Sequence, residues 1–340
     1  MAGGRAFFAH TMADQRPLIA VFRGGYSGES VISHQSAGRM LGAIDTGRFD
    51  PVYISVTRDR WTCEAPDGTA LGLDRGELRV LRNGRHDRVD AALIAIHGAP
   101  GEDGKLQGFL DMLGIPYQTG GVGTMAISFG KFATTALLRE WGHTVAPAVF
   151  LVSPTSLSPE AIVQRVGLPC FVKPEESGSS LGISKVKSVD GLPAALEKAF
   201  AESDAVMVEG AVQGRELTCG VLIDGQGARA LPVCEIRTSH EFFDYQAKYH
   251  AQDTQELIPA PLPDEVTRLV QERSVAIACA LRCRGMVRID HIWTGTALST
   301  IEVNTTPGFS GASIYPKMLE VAGIGVPAAI NGLIEGMLQR

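Results

Sequence analysis

Between residues 18 and 119 the chain alternates short apolar runs with helical ones, and this alternation limits the possible folds more than any other feature. LIAVF opens it, and apolar residues recur at helical spacing in SVISHQSAGRMLGAI; PVYISV, ALIAIHG, the helical KLQGFLDMLG and IPYQT follow. Nearly continuous apolar strands separated by amphipathic helices are what a parallel sheet covered on both faces requires. The pattern predicts a parallel α/β layer ending near residue 130. A second, α+β unit is expected from the helix AISFGKFATTALLREWG through VAPAVFLV, LPCFVKP, ISKVKS, the helix GLPAALEKAFAES and AVMVEG. A third carries RELTCGVLID, ARALPVCEIR, a polar aromatic segment, a long helix from Pro263, the strands GMVRIDHIW and LSTIEVN, and closing helices. At 340 residues the chain exceeds one ordinary core, so several units sharing interfaces are expected.

Composition removes whole classes of function. The net charge is -6, and Lys and Arg are scattered, so no long-range field draws nucleic acid or an anionic membrane. An anionic small substrate would need local cations or a metal. The six cysteines form no C-x-x-C pair and several sit in apolar strand-like runs, which reads as reduced core thiols. No window approaches a membrane span and the N-terminal apolar stretch is too short for a signal segment, so a cytoplasmic location is expected.

Three glycine-rich stretches bear on chemistry. GSSLG (178–182) satisfies the G-x-S-x-G pattern of a nucleophile elbow, but an elbow needs a helix after the serine. Here GISKVKS follows, rich in β-branched residues, so strand-turn-strand fits better and Ser180 is not expected to be a nucleophile. Such a turn with Lys173 at its base reads either as an anion cradle of backbone N-H groups or as an ordinary exposed hairpin. GVGTMA (121–126) matches a dinucleotide fingerprint, yet it comes late in the first unit, and Glu140 falls inside a predicted helix, away from a ribose contact. A dehydrogenase would rest on that segment alone. No G-x-x-x-x-G-K-[ST] occurs, so no P-loop is present.

The most informative constellation is MVRIDHIWTGTALSTIEVNTTPG (286–308). Strand side chains alternate, so Arg288 and Asp290 share one face, as do Glu302 and Asn304. A connecting loop with an odd count, such as residues 295–297 in a bulged turn, would set Asp290 opposite Glu302. Like charges across a ladder are unfavourable, so a cation between them is one reason to tolerate the pair, and oxygen-only ligands suit Mg²⁺. The alternative is a solvated sheet face with Arg288 bridging the acids.

These residues together resemble the D-alanine-D-alanine ligases of the ATP-grasp superfamily, from residue 18 to the C terminus. The motifs in order are GGYSGESVIS (24–33), HGAPGEDGKLQG (97–108), KPEESGSSLGISKV (173–186), EGAVQGRELT (209–218), FFDYQAKY (242–249), RID (288–290) and EVNTTPGFSGASIYP (302–316). The resemblance implies an α/β fold, α+β in part, with three-domain ATP-grasp architecture. Residues 1–17 would be an extension, 18–130 a Rossmann-like domain for the first substrate, 131–213 the small central domain, and 214–340 the C-terminal domain with metal site and lid (238–258). It implies ATP as a substrate, with Lys131, Lys173 and Lys248 on its phosphates, Ser179 and Ser180 in the loop closing over them, and Glu209 and Glu216 on adenine and ribose. Asp290, Glu302 and Asn304 would carry two Mg²⁺ or Mn²⁺. Glu29 would receive the ammonium of the first D-alanine within a network with Ser179 and Tyr249, and Gly308 and Ser313 would position the second substrate's carboxylate. Arg288 would stabilise an oxyanion. His97 reads as an orienting residue or as a buried histidine bonded to loop backbone.

The implied reaction joins two D-alanines through a D-alanyl phosphate for peptidoglycan precursor synthesis, in a cytoplasmic homodimer without nucleic-acid or membrane partners. Related ligases take D-serine, D-lactate or another amino acid second; Tyr249 favours a dipeptide product. A non-catalytic nucleotide-binding protein could dispense with Glu29, Arg288 or Tyr249, and all three are present. The chain departs from the family's common pattern at Val31, Ser177 and Gly210.

Overall fold

The structure is a computed structural model and describes residues 16–82, 84–178, 181–238 and 254–339. Strand β1 (Leu18–Gly24) runs parallel to β2 (Asp50–Val56) and β7 (Ala91–Ile94), with α1 (Ser30–Gly42) crossing from β1 to β2. Its side chains divide with period two: Ile19 and Val21 enter one core, while Leu18, Ala20 and Phe22 enter another on the opposite face. That two-sided burial explains why LIAVF is a continuous apolar run.

The sheet is not wholly parallel, which corrects the sequence reading. Strands β3 (Trp61–Glu64), β4 (Ala70–Asp74), β5 (Arg79–Arg82) and β6 (Arg85–Arg88) continue from β2 as an antiparallel meander, giving the order β6-β5-β4-β3-β2-β1-β7. The outer strands are short and largely exposed, and RHDR has no apolar residue to mark it as a strand. Ion pairs take the place of apolar contacts there: Arg82 meets Asp87 at 2.8 Å and also reaches Asp50 on β2. IPYQT contributes a single parallel bridge, Ala92 with Tyr117, in place of a full strand.

Helix α2 (Lys105–Leu113) closes this unit. The expected single helix after residue 125 is two, α3 (Val122–Phe129) and α4 (Lys131–Glu140), interrupted at Gly130 in extended geometry. The Glu175 carboxylate accepts the N-H groups of Phe132 (2.9 Å) and Ala133 (3.4 Å), satisfying donors that every helix start leaves open. Lys131 therefore stands at the first position of a helix rather than inside one. Gly121 precedes α3 and Glu140 ends α4, so the GVGTMA segment sits in a helix-helix setting without a following ribose-contacting strand.

A four-stranded antiparallel sheet comes next, built from β8 (Ala148–Leu151), β9 (Cys170–Pro174), β10 (Ser184–Val186) and β11 (Val206–Gly210) in the order β10-β9-β11-β8. Helices α5 (Pro159–Val166) and α6 (Leu192–Phe200) cover one face around Val149, Val172, Leu196 and Val208. β9 and β10 flank the GSSLG turn as antiparallel partners, Val172 opposite Ser184, which is the strand-turn-strand arrangement and not that of an elbow.

The last sheet holds β12 (Arg215–Asp224), β13 (Gly227–Ala230), β14 (Cys234–Arg237), β15 (Gln255–Leu257), β16 (Gly285–Trp293) and β17 (Leu298–Asn304), in the order β15-β14-β12-β16-β17 with β13 on β12. Helix α7 (Asp264–Ala280) packs on one face, and α8 (Ile314–Val321) and α9 (Val326–Leu338) on the other. Tyr315 on α8 is fully buried and donates to the Val221 carbonyl at 2.9 Å. One core joins the first and last sheets, with Ile19, Val21 and Met40 packed with Leu222, Phe309, Tyr315 and Ile330.

All six cysteines are free thiols. Five are buried as expected, but Cys279 is exposed on α7, because its place on the helix faces away from the core that takes Ile277 and Ala278. Among the described residues no single helix is long and apolar enough to cross a membrane; α8 and α9 form an apolar pair bent by 97°.

Candidate active site

A cleft opens where the three sheets meet. Its wall includes Glu29 from the start of α1, His97 and Glu102 from the loop after β7, and Lys131 from α4. Lys173 from β9 and Arg288, Glu302 and Asn304 from β16 and β17 complete it. Seven residues proposed from the sequence thus converge from segments nearly three hundred positions apart.

The pairing of the two carboxylates is set by strand register. Asp290 lies directly opposite Glu302, and Arg288 opposite Asn304. The extra residue that produces this pairing is in the strand and not in the turn: Trp293 pairs with Leu298 across a four-residue connection, and a bulge at Ile301 shifts the register between Asp290 and His291. The expected pairing is present, then, while its expected cause, a three-residue loop, is corrected. Arg288 grips Asp290 with two parallel bonds, Nε to Oδ1 at 2.9 Å and Nη2 to Oδ2 at 2.8 Å, and Thr218 donates to Oδ1 at 2.6 Å. Asn304 Oδ1 accepts the Thr306 N-H at 3.2 Å. Two facing carboxylates and an amide oxygen fit a hard divalent cation held partly by water and phosphate oxygens. Among the described residues no group of three or more His, Cys, Asp or Glu is placed to hold a metal ion by itself.

The lysines come from α4 and β9. Lys173 forms an ion pair with Glu209 across adjacent strands, both largely buried, and the Lys131 ammonium donates to the Ser177 carbonyl. Burial pushes the Lys131 pKa down, against the upward pull of Glu302. Glu209 and Asp290 therefore stand behind the wall, reached through Lys173 and Arg288. Glu216 is on β12, two residues before Thr218 on the same face and one strand away from the acidic pair, and does not line the cleft.

Glu29 sits against the turn that carries Gly178. A Cβ on Gly178 would overlap the Glu29 carboxylate and push it aside. Gly308 is similarly constrained, since a Cβ there would lie 2.9 Å from Ser313 Oγ. Ser313 precedes α8 and its Oγ receives the Ser310 N-H at 3.0 Å, so Gly308 and Ser313 close one tight loop beside the cleft.

His97 combines both sequence alternatives. It is buried, its Nε2 is 3.1 Å from Ser36 Oγ, and Ser36 Oγ accepts the Phe309 N-H at 3.1 Å. Its other bond is to the backbone of Thr306, so the ring ties α1 to the loop that follows β17. Burial holds its pKa below the usual value, so the ring is neutral.

Glu102 was missed by the sequence reading although it lies inside the quoted HGAPGEDG. It accepts the Gly98 N-H at 2.6 Å, and burial, with Glu29 nearby, raises its carboxyl pKa to about 8. Its signal was visible as an acid in a glycine-rich loop; its burial was not. Ser179, Ser180, Lys248 and Tyr249, and most of the expected lid, lie outside the described residues.

Comparisons with known proteins agree with this geometry. Residues 18–120 match the family model "D-ala D-ala ligase N-terminus" and residues 137–335 match "D-ala D-ala ligase C-terminus". The chain is 38% identical over 318 residues to a D-alanine--D-alanine ligase of Phocaeicola vulgatus, covering 93% of this chain and 98% of that protein. Among solved structures, the VanG D-Ala:D-Ser ligase of Enterococcus faecalis has a TM-score of 0.82 at 31% identity, covering 94% of this chain and 99% of that one. The D-alanine--D-alanine ligase of Bacillus anthracis complexed with ATP has a TM-score of 0.77 at 30% identity, covering 96% and 98%. With both halves of the family matched in order along the chain, it belongs to the D-alanine-D-alanine ligase family.

Proposed function

We propose that the chain is an ATP-dependent ligase that joins two D-alanines into D-alanyl-D-alanine for peptidoglycan synthesis, through a D-alanyl phosphate. The observation that carries the reading is the mixed charge of the cleft. Lysines from α4 and β9 line it together with Glu302, Asn304 and Arg288, and Glu29 stands beside the glycine turn.

The steps follow from charge and position. Glu29 takes the ammonium of the first D-alanine, which leaves its carboxylate free to attack the γ-phosphoryl group of ATP in line. Lys131 and Lys173, with Lys248, neutralise the transferring oxygens, and phosphate charge arriving beside Lys131 opposes the downward push of burial on its pKa. Asp290, Glu302 and Asn304 would hold Mg²⁺, which when bound supplies further neutralisation of phosphate charge. The amine of the second D-alanine attacks the acyl phosphate carbonyl, Arg288 stabilises the oxyanion, and phosphate leaves as the C-N bond forms and the amine gives up a proton. Gly308 and Ser313 position the second carboxylate. Only the neutral amine attacks, so the rate rises with pH toward the amine pKa.

The units 18–130, 131–213 and 214–340, a cytoplasmic location and a homodimer belong to the same proposal; light scattering on the eluted protein tests the dimer. A D-serine acceptor is the second reading, favoured by the similarity to the VanG D-Ala:D-Ser ligase. Phosphate release from Mg²⁺-ATP with D-alanine, L-alanine, D-serine and D-alanine plus D-lactate, with product masses recorded, separates them. The proposal expects release with D-alanine alone and the mass of its dipeptide; a mixed D-alanyl-D-serine product as the main species would establish the second reading.

A further inference from the structure

Helix α4 begins at Lys131 with no cap from its own segment. The residue before it, Gly130, is extended and has no side chain to accept the N-H groups that a helix start leaves open. The acceptor arrives from the residue directly after β9, 43 positions away from Phe132. Glu175 takes the Phe132 N-H at 2.9 Å through Oε2 and at 3.1 Å through Oε1, and the Ala133 N-H at 3.4 Å. A Cβ on Gly130 would lie 3.0 Å from Glu175 Oε1, so the glycine leaves room for the carboxylate.

The same short segment holds Lys131 twice more. The Lys131 N-H donates to the Glu175 carbonyl at 3.3 Å, and the ammonium donates to the Ser177 carbonyl. Glu175 is itself fixed, because its side chain is buried and its N-H donates at 2.9 Å to the carbonyl of Ala205, the residue before β11. Lys173 stands two residues earlier, on β9. Both lysines line the cleft, whereas Glu175 stands behind its wall. Two ammonium groups on one wall repel, so their spacing has to be held by the frame that carries them. An open helix start would also attract a phosphate directly. Here an internal carboxylate fills it, which leaves the Lys131 ammonium as the group that α4 offers to the cleft.

We infer that Glu175 is a positioning residue that docks the start of α4 on the turn after β9 and thereby sets the spacing of Lys131 from Lys173 for the phosphates of ATP. Without the carboxylate, α4 keeps only backbone ties to that turn, and its first turn is free to shift with Lys131 on it. Gly130 belongs to the same arrangement, since it gives up a local cap and admits a distant one. Sequence alone shows two acids in KPEESGSSLG and does not tell which of them is turned inward or what it reaches.

The inference rests on the proposed reading of Lys131 and Lys173 as phosphate contacts, and the test keeps the two apart. Binding of the ATP analogue AMP-PNP with Mg²⁺ to the full chain is measured by calorimetry, adenosine binding by competition against it, and melting curves are recorded alongside. Glu175→Ala removes the distant cap. Gly130→Ser combined with Glu175→Ala puts a serine cap beside the helix, in the space the carboxylate vacates, without a tie to β9. The inference expects AMP-PNP affinity about tenfold weaker in Glu175→Ala, with adenosine affinity unchanged and a lower melting temperature. It expects the double variant to regain melting temperature but not AMP-PNP affinity, and that variant carries the same reading where the single one melts below the assay temperature. Wild-type AMP-PNP affinity in folded Glu175→Ala overturns the inference while leaving the site reading intact. Equal weakening of adenosine also overturns it, since the effect would then not lie at the phosphates. Recovery of AMP-PNP affinity in the double variant does the same, because a capped helix would suffice without the tie. Wild-type AMP-PNP affinity in Lys131→Met removes the phosphate reading itself and the inference with it.

Discussion

Glu102 and Arg288 show how much a single side chain's surroundings decide. An acid whose folded pKa is raised holds a proton in the native state that the unfolded chain has already lost. Its contribution is therefore full below about 4.5, the ordinary carboxyl value, and is lost as pH rises toward about 8. Glu102→Gln keeps an acceptor for the Gly98 N-H and removes the charge. Melting curves should show the variant gaining on the wild type between pH 5 and 8, by on the order of 1 to 3 kcal/mol at the upper end; parallel curves would mean that Glu102 is not held protonated. Arg288 bears two charge-assisted bonds to Asp290. Arg288→Gln should cost about 1 to 2 kcal/mol of stability and reduce kcat roughly a hundredfold or more, a split read from steady-state kinetics beside denaturant unfolding. The charges of both residues were readable in the sequence, in HGAPGEDG and RID. Their nearest bonds, to Gly98 and Asp290, are local; what was not readable is the burial of Glu102 and the cleft that both border, which distant segments assemble.

At the scale of elements, legibility tracked apolar content. The continuous run LIAVF and the amphipathic α1 were plain because both faces of β1 are buried. The meander β3 to β6 escaped notice because its outer strands expose most residues and are held by ion pairs. The Asp290 and Glu302 pairing was foreseen from strand alternation, but the place of the inserted residue depends on what packs behind β17 and had no local signature. Gly178 offers a test at this scale. The turn after β9 approaches the start of α1 so closely that a methyl group would displace the Glu29 carboxylate. Gly178→Ala should raise KM for the first D-alanine about tenfold or more, through the misplaced ammonium partner, while KM for ATP changes less. Equal KM values in both proteins would show that Glu29 tolerates the displacement.

Across the whole molecule, the first and last sheets are not independent bodies. Ile19, Val21 and Met40 share one core with Tyr315, Met318 and Ile330, whereas the four-stranded sheet keeps a core of its own around Leu151, Val172 and Val208. A fragment of residues 16–130 would expose the first of these faces to water. It should lack fixed tertiary packing, with weak near-ultraviolet dichroism and binding of hydrophobic dyes; a well-packed monomeric fragment would contradict a shared core. The same arrangement holds Glu29 and His97 from one end of the chain in one cleft with Arg288 and Glu302 from the other. The claim that these groups build an acyl phosphate is tested most directly with D-alanine carrying ¹⁸O in its carboxylate. Attack of that carboxylate on the γ-phosphoryl group, followed by expulsion of phosphate, predicts one ¹⁸O atom in the released phosphate for each dipeptide formed. Dipeptide formed with unlabelled phosphate would contradict the account.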